Sequence, residues 1–147
     1  MSLLFYDRNA GHGELYSTGG QGDITQLKSY DGWRTSWSHI VPSYATDNSQ
    51  SETTLLFYDK NSGVAQFYNV DAQGHISQLS NNTYSTGWTH IIPGSFVAGS
   101  ADTALLFYNS SSGLAQFYST DGQGGITQLS SSHYRTSWAL IQWLAFP

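Results

Sequence analysis

Leu55-Leu56-Phe57-Tyr58 is the stretch that decides the fold, because the same four residues stand at 3–6 and again at 105–108. A second motif, Gln-Gly-x-Ile-x-Gln-Leu, recurs at 21–27, 73–79 and 123–129. Residues 55–92 match 105–142 at 21 of 38 positions. Repetition with a period of about 50 residues is typical of propellers and related repeat folds. We therefore divide the 147 residues into three repeats, 1–50, 51–100 and 101–147, of a single domain.

Each repeat is predicted to form four short strands. In the second repeat they are 55–58, 64–70, 75–79 and 88–92, with Asp59 to Gly63 as a turn and Pro93 ending the last strand. No segment has the 3.6-residue apolar period of a helix, so the predicted fold class is all-β. Four strands in about 50 residues fit one blade of a β-propeller, and they equally fit one third of a β-trefoil.

A longer pattern favours the propeller. It runs from Trp-Thr-His-Ile-Ile-Pro-Gly-Ser-Phe at 88–96, through the linker 97–103, to Ala-Leu-Leu-Phe-Tyr-Asn at 104–109. The chain resembles, over its whole length, the FG-GAP/VCBS-like tandem-repeat propellers, and it also resembles small propeller lectins. The Asp-rich calcium loop of that family is not matched at 47–52 or at 99–102. We therefore expect neither calcium nor any other cofactor.

The composition excludes several classes of partner. The net charge is −5 and the five Lys and Arg residues are scattered, so nucleic acid is not an expected partner. No apolar run approaches the length of a membrane span, and membrane insertion is not expected. The first residues lack the features of a signal peptide, which predicts a cytoplasmic protein at synthesis, open to release by a non-classical route. The chain has no cysteine, which excludes thiol catalysis.

The sequence predicts a protein without catalytic activity. Glu14 is replaced by Gln66 and Gln116 in the other repeats, and an acid–base pair would not survive that replacement in equivalent sites. No Gly-x-Ser-x-Gly elbow is present. His39 and His90 are equivalent, but the third repeat has Leu140 there, which argues against a repeated metal site.

Aromatic, amide and hydroxyl side chains recur instead, and they suit the recognition of neutral sugars. We predict a non-catalytic, multivalent, metal-independent lectin that binds glycans or glycoconjugates between or at the edges of the repeats. A protein–protein interaction scaffold is the alternative function. The three recurring glutamines are read either as sugar ligands or as buried amides. The predicted sugar-binding residues are Trp33, Arg34, Tyr84, Ser85, Tyr134, Arg135, Gln26, Gln78 and Gln128.

Assembly is predicted from the number of repeats. Propellers have four to eight blades, so three four-stranded blades per chain would close as one six-bladed ring in a homodimer. The apolar stretch 141–147 would then pack on the neighbouring chain's first blade. A β-trefoil would instead close within a monomer. Trp37, Trp88 and Trp138 are predicted to be core residues in either case.

Overall fold

The structure, a computed structural model, describes residues 1–44 and 53–144. Two segments considered in the sequence analysis lie outside these ranges: residues 47–52, where the calcium loop of the resembled family is not matched, and 145–147, the end of the apolar stretch. Eleven strands lie within them. Their bounds are β1 Ser2–Asp7, β2 His12–Thr18, β3 Ile24–Tyr30, β4 His39–Ser43, β5 Thr53–Tyr58, β6 Val64–Val70, β7 Ile76–Thr83, β8 His90–Gly94, β9 Ala104–Tyr108, β10 Leu114–Thr120 and β11 Ile126–His133.

The described strands form three antiparallel sheets. The first has the order β1-β2-β3, the second β4-β5-β6-β7, and the third β8-β9-β10-β11. The all-β prediction is confirmed, and separate stacked sheets belong to a propeller rather than to the closed barrel of a trefoil. The alternative of a trefoil is therefore wrong.

The prediction of three four-stranded blades is wrong in one respect, because the last strands of the first and second repeats pair with the first strand of the repeat that follows. His39 lies opposite Tyr58, and His90 lies opposite Tyr108. These last strands are mostly apolar, and so are the strands that begin the following repeats. Pairing the two buries the apolar side chains of both. The second and third sheets gain a fourth strand in this way, while the first sheet has three among the described residues.

Pro93 does not end the fourth strand of its repeat, as predicted, but lies inside β8 opposite Leu105. Proline is tolerated there because β8 is the edge of its sheet, where one side of the backbone needs no ladder hydrogen bond. Pro42 has the same place in β4, opposite Leu55. The sheet orders place β4 and β8 at the edges of their sheets, and the two strands lie side by side.

The middle sheet packs with one neighbour on each face. Side chains alternate along β5, so that Leu55 and Phe57 contact the first sheet while Leu56 and Tyr58 contact the third. The Leu-Leu-Phe-Tyr motif forms core in β5 and β9, where its four residues are buried. In β1 the same motif is not buried: Phe5 is 50% exposed while its counterpart Phe57 is 2% exposed.

The three equivalent tryptophans differ in the same way. Trp37 and Trp88 are each 4% exposed and belong to the core, as predicted. Trp138 is 46% exposed, because no further sheet follows it among the described residues. The outer faces of the first and third sheets are thus exposed, although the equivalent residues in the middle of the chain are buried.

Candidate functional site

A cleft of about 180 Å³ lies where the first sheet meets the second. One wall comes from the loop that follows β3 and carries Trp33 and Arg34. The other wall is the face of the second sheet that carries Phe57, Gln66 and Tyr68. The cleft thus brings together two of the predicted site residues with three that the sequence analysis did not assign to a site.

Aromatic contacts hold the first wall in place. The Trp33 ring stacks on Tyr30 with 5.6 Å between centroids and meets Phe57 edge-on at 5.4 Å. The backbone N–H of Trp33 donates to the carbonyl of Gly11, which fixes the loop against the preceding turn. The guanidinium of Arg34 lies over the Trp37 ring, 5.5 Å from its centroid. The Arg34 cation therefore lines the cleft beside an aromatic ring.

The second wall presents an ordered polar edge. The Tyr68 hydroxyl donates to Oε1 of Gln66 over 2.9 Å, and the Gln66 amide nitrogen donates to Asn81 over 3.3 Å. The register pairs Tyr68 with Gln78, so this predicted glutamine lies beside the cleft rather than in its lining. Gln26 and Gln128 have the same place beside Tyr16 and Tyr118.

The reading of these glutamines as buried amides is wrong, since all three are exposed. They lie on the third strand of each repeat, which is the outer edge of its sheet. The Gln78 amide donates to the Ser80 carbonyl over 3.3 Å, and Gln128 accepts a hydrogen bond from the Tyr118 hydroxyl over 3.4 Å. They can reach a ligand only at the outer rim.

The junction between the second and third sheets repeats this arrangement with smaller groups. Tyr84 replaces Trp33 and meets Phe107 edge-on at 6.0 Å. Burial raises the pKa of Tyr84 to about 12, and its hydroxyl has no hydrogen-bond partner among the described residues. Ser85 is exposed, and its carbonyl accepts a hydrogen bond from Tyr58 over 2.6 Å. Tyr84 therefore acts mainly as packing.

The last predicted pair, Tyr134 and Arg135, lies on the open face of the third sheet. Both are exposed, and the Arg135 guanidinium lies 6.0 Å from the centroid of the Trp138 ring. This repeats the placement of Arg34 on Trp37. Among the described residues, no further sheet lies against this face.

The open face of the first sheet is equivalent to the face of the second sheet that carries Gln66, and it holds a hydrogen-bonded chain of ionisable groups. Nδ1 of His12 lies 2.6 Å from Oδ1 of Asp31, and Nε2 lies 3.0 Å from Oε1 of Glu14. The Tyr16 hydroxyl donates to the other Glu14 oxygen over 2.5 Å. We call these four residues the acid–base cluster.

Hydrogen bonding within the cluster shifts its titration. The bonds to Glu14 and then to Asp31 raise the pKa of His12 above its ordinary value. The bonds from Tyr16 and then from His12 lower the pKa of Glu14. At neutral pH the Glu14 carboxylate is therefore ionised while His12 holds its proton more firmly than a free imidazole.

Sequence reasoning missed this cluster because it compared Glu14 only with Gln66 and Gln116 and required every repeat to keep the function. A usable signal was present. His12, Glu14 and Tyr16 are spaced two residues apart along β2, which places them on one face of a strand. A site present in a single repeat needs no counterpart in the others.

Residues 1–44 and 53–144 contain no group of three His, Cys, Asp or Glu side chains arranged to hold a metal ion. In the same ranges, no helix has the length and apolar character that crossing a membrane requires.

Three solved structures are similar to the chain, and two of them are lactonases by name. A protein described as a candidate 6-phosphogluconolactonase, from Bacteroides fragilis, superposes with a TM-score of 0.60 at 9% identity, covering 92% of this chain and 36% of the other. The periplasmic gluconolactonase of Pseudomonas aeruginosa gives 0.52 at 15% identity, covering 91% and 40%. A Lactobacillus plantarum protein gives 0.54 at 18% identity, covering 96% and 41%.

The chain spans about two fifths of the length of these structures. At such identities the likeness establishes the propeller fold. No family model matches the chain, and no curated protein does either. The expectation of a non-catalytic lectin is contradicted by this comparison, since two of the structures similar in fold are named as lactonases. The expectation that the chain is not an enzyme is wrong for the same reason.

Proposed function

We propose that the protein is a lactonase-type hydrolase that opens a cyclic sugar ester. The observation that carries this proposal is the acid–base cluster, in which an ionised carboxylate and a proton-bearing imidazole are held 3.0 Å apart on one strand. Hydrolysis of an ester needs both a base for the attacking water and an acid for the leaving oxygen. The lactonase names of the structural neighbours support the same substrate class.

The reaction can be written on these groups alone. Glu14 accepts a proton from water as the water oxygen bonds to the lactone carbonyl carbon. The tetrahedral intermediate then collapses, the ring C–O bond breaks, and His12 gives its proton to the departing alkoxide. The product is an open hydroxy acid, and proton exchange with solvent restores both groups. No covalent intermediate with the protein is required.

Asp31 and Tyr16 have supporting roles in this scheme. Asp31 binds the far nitrogen of His12 and so fixes the ring orientation while favouring the protonated form. Tyr16 occupies one oxygen of Glu14 and leaves the carboxylate aligned with the imidazole. Both act through another residue, so they are positioning residues.

The experiment that tests the activity is hydrolysis of glucono-δ-lactone, followed by base uptake at constant pH against the spontaneous rate. Glu14→Gln and His12→Gln should each lower kcat by about 100-fold or more. His75→Gln is the matched control, since His75 pairs with Asp71 at 3.1 Å on an exposed turn outside the cluster. Wild-type hydrolysis no faster than the spontaneous rate, or an equal loss in the control, would refute the assignment.

We also propose that two chains close a ring of six sheets. The support is the contrast in burial at equivalent positions. Phe107 is 1% exposed against a preceding sheet, whereas Phe5 is 50% exposed without one. Light scattering should give about 32 kDa, twice the 16.2 kDa of one chain. A mass of one chain at micromolar concentration would contradict the ring.

A further inference from the structure

The free edge of the first sheet borders a groove of about 910 Å³. β1 forms one side, with Leu3, Leu4 and Tyr6 in the lining, and β4 with Ile40 and Pro42 forms the other. β1 pairs with β2 along one edge, and no described strand pairs with its other edge. In the second and third sheets, the edge that corresponds to this groove is filled by β4 and β8.

The segment that corresponds in sequence to β4 and β8 is 140–144 in the third repeat. The described part of the chain leaves it unpaired: Leu140 is 77% exposed and Leu144 is 72% exposed. So large an apolar surface is a liability for a protein that stays monomeric. The described residues therefore include an unfilled strand position beside β1 and an unpaired apolar segment at 140–144.

We propose that residues 140–144 of a second copy add to β1 as the inner strand of the first sheet. The register follows from the two junctions that are present. His39 and His90 lie opposite the tyrosine that ends Leu-Leu-Phe-Tyr, and Ser43 and Gly94 lie opposite Thr54 and Ala104. The new pairs are Leu140 with Tyr6, Ile141 with Phe5, Gln142 with Leu4, Trp143 with Leu3 and Leu144 with Ser2.

A second copy is the occupant because the fit is mutual. One two-fold axis places each segment in the other chain's groove, so both free edges and both exposed segments are covered at once. The composition of the two surfaces agrees with this, since leucine, isoleucine and tryptophan meet the apolar lining formed by Leu3, Leu4 and Ile40.

The same addition completes the acid–base cluster, an inference that rests on the proposed function. In the cleft between the first two sheets, Arg34 and Gln66 line one space. Their counterparts at the junction between chains are the partner's Arg135 and Glu14. A cation would face a carboxylate only at this junction. At the junction of the first and second sheets Arg34 faces Gln66, and at the junction of the second and third sheets the equivalent residues are Ser85 and Gln116. The partner's Arg135 would supply positive charge for the oxyanion of the tetrahedral intermediate.

Disulfide trapping tests the register without reference to activity. The chain has no cysteine, so Ser2→Cys combined with Leu144→Cys introduces the only pair. The equivalent side chains Ser43 and Thr54 are hydrogen-bonded to each other, which shows that this register position brings side chains together. The control is Ser2→Cys with Gln142→Cys, a diagonal pair roughly 7–8 Å apart and too distant for a disulfide.

We expect the Ser2–Leu144 variant to run as a covalent dimer on a non-reducing gel, whereas the control runs as a single chain. Equimolar mixing of the two single variants should also give a covalent dimer, with one bond between chains. A disulfide within one chain would overturn the proposal, because the segment would then fold back on its own groove. Equal trapping in the control, or no trapping in either, would overturn the register.

Because trapping does not depend on catalysis, a covalent dimer without lactone hydrolysis would refute the proposed function and leave the strand addition standing. Active protein without trapping would do the reverse.

Discussion

The ring of Trp33 meets the ring of Phe57 edge-on, with 5.4 Å between centroids and an angle of 90° between planes, and this contact joins the first sheet to the second. Tyr84 and Phe107 repeat it at the next junction at 6.0 Å and 78°. Edge-to-face pairs contribute beyond the area they bury. The aromatic content of the chain therefore serves mainly to join sheets, and the cleft is the space that these rings leave.

The core tryptophan Trp88 gives the first prediction. It is buried against Phe107, with 5.6 Å between ring centroids, so Trp88→Ala leaves a large cavity between the second and third sheets. We expect a loss of about 3–5 kcal/mol in the free energy of unfolding, measured by urea denaturation. Leu129→Ala, on an exposed strand position, is the control and should change stability by less than about 0.5 kcal/mol. Similar losses in both variants would contradict the assignment of the core.

The hydroxyl of Tyr84 gives the second prediction. It is buried without a described partner, so Tyr84→Phe removes a desolvated polar group while it keeps the ring. We expect stability to be unchanged or to rise by up to about 1 kcal/mol. The comparison is Tyr58→Phe, which loses the 2.6 Å hydrogen bond to the Ser85 carbonyl and should cost about 0.5–1.5 kcal/mol. Thermal unfolding of the two variants checks the sign, and a clear loss in Tyr84→Phe would contradict it.

The sheet architecture was readable from the sequence only in part. The three copies of Leu-Leu-Phe-Tyr predicted all-β blades, because a short apolar run bounded by turn residues can be recognised from residues that are neighbours in the sequence. Which strand pairs with which was not readable, because His90–Gly94 is equally apolar whether it pairs within its own repeat or with the next. That choice depends on the burial of β9, which appears only in three dimensions.

The candidate site was predictable to a similar degree. Trp33 and Arg34 were found because they stand next to each other in a polar loop. Gln66 and Tyr68 come from the next repeat, and only the packing of two sheets brings them to the same cleft. The link between His12 and Asp31 spans nineteen positions and depends on the pairing of β2 with β3, so no local motif marks it.

The pH dependence of lactone hydrolysis gives the third prediction. The scheme needs Glu14 ionised and His12 protonated, so kcat should rise through the depressed pKa of Glu14 and fall through the elevated pKa of His12. Asp31 raises the pKa of His12, and Asp31→Asn should therefore move the alkaline limb to lower pH. The acid limb should stay in place, because Asp31 does not contact Glu14 in the cluster. A pH–rate profile checks both limbs.

Asp31→Glu is the companion variant for this profile, since it keeps the charge that raises the pKa of His12. It should restore the alkaline limb toward its wild-type position. An unchanged alkaline limb in Asp31→Asn would show that His12 is not the proton donor.

Mixing of inactive chains gives the fourth prediction. If Glu14 and the partner's Arg135 form one site, both Glu14→Gln and Arg135→Ala homodimers lack a complete site, and Arg135→Ala should lose about 100-fold in kcat. In a mixed dimer, one junction carries both substitutions while the other pairs an intact Glu14 with an intact Arg135. Co-refolding the two variants should therefore recover a substantial part of wild-type activity, measured as base uptake on glucono-δ-lactone.

The control is Glu14→Gln refolded with the Glu14→Gln/Arg135→Ala double variant, which contains no intact Glu14 and should stay inactive. Activity in the mixture that equals only the average of the two separate variants would place Arg135 and Glu14 in different sites, because an independent site cannot be repaired by a second chain.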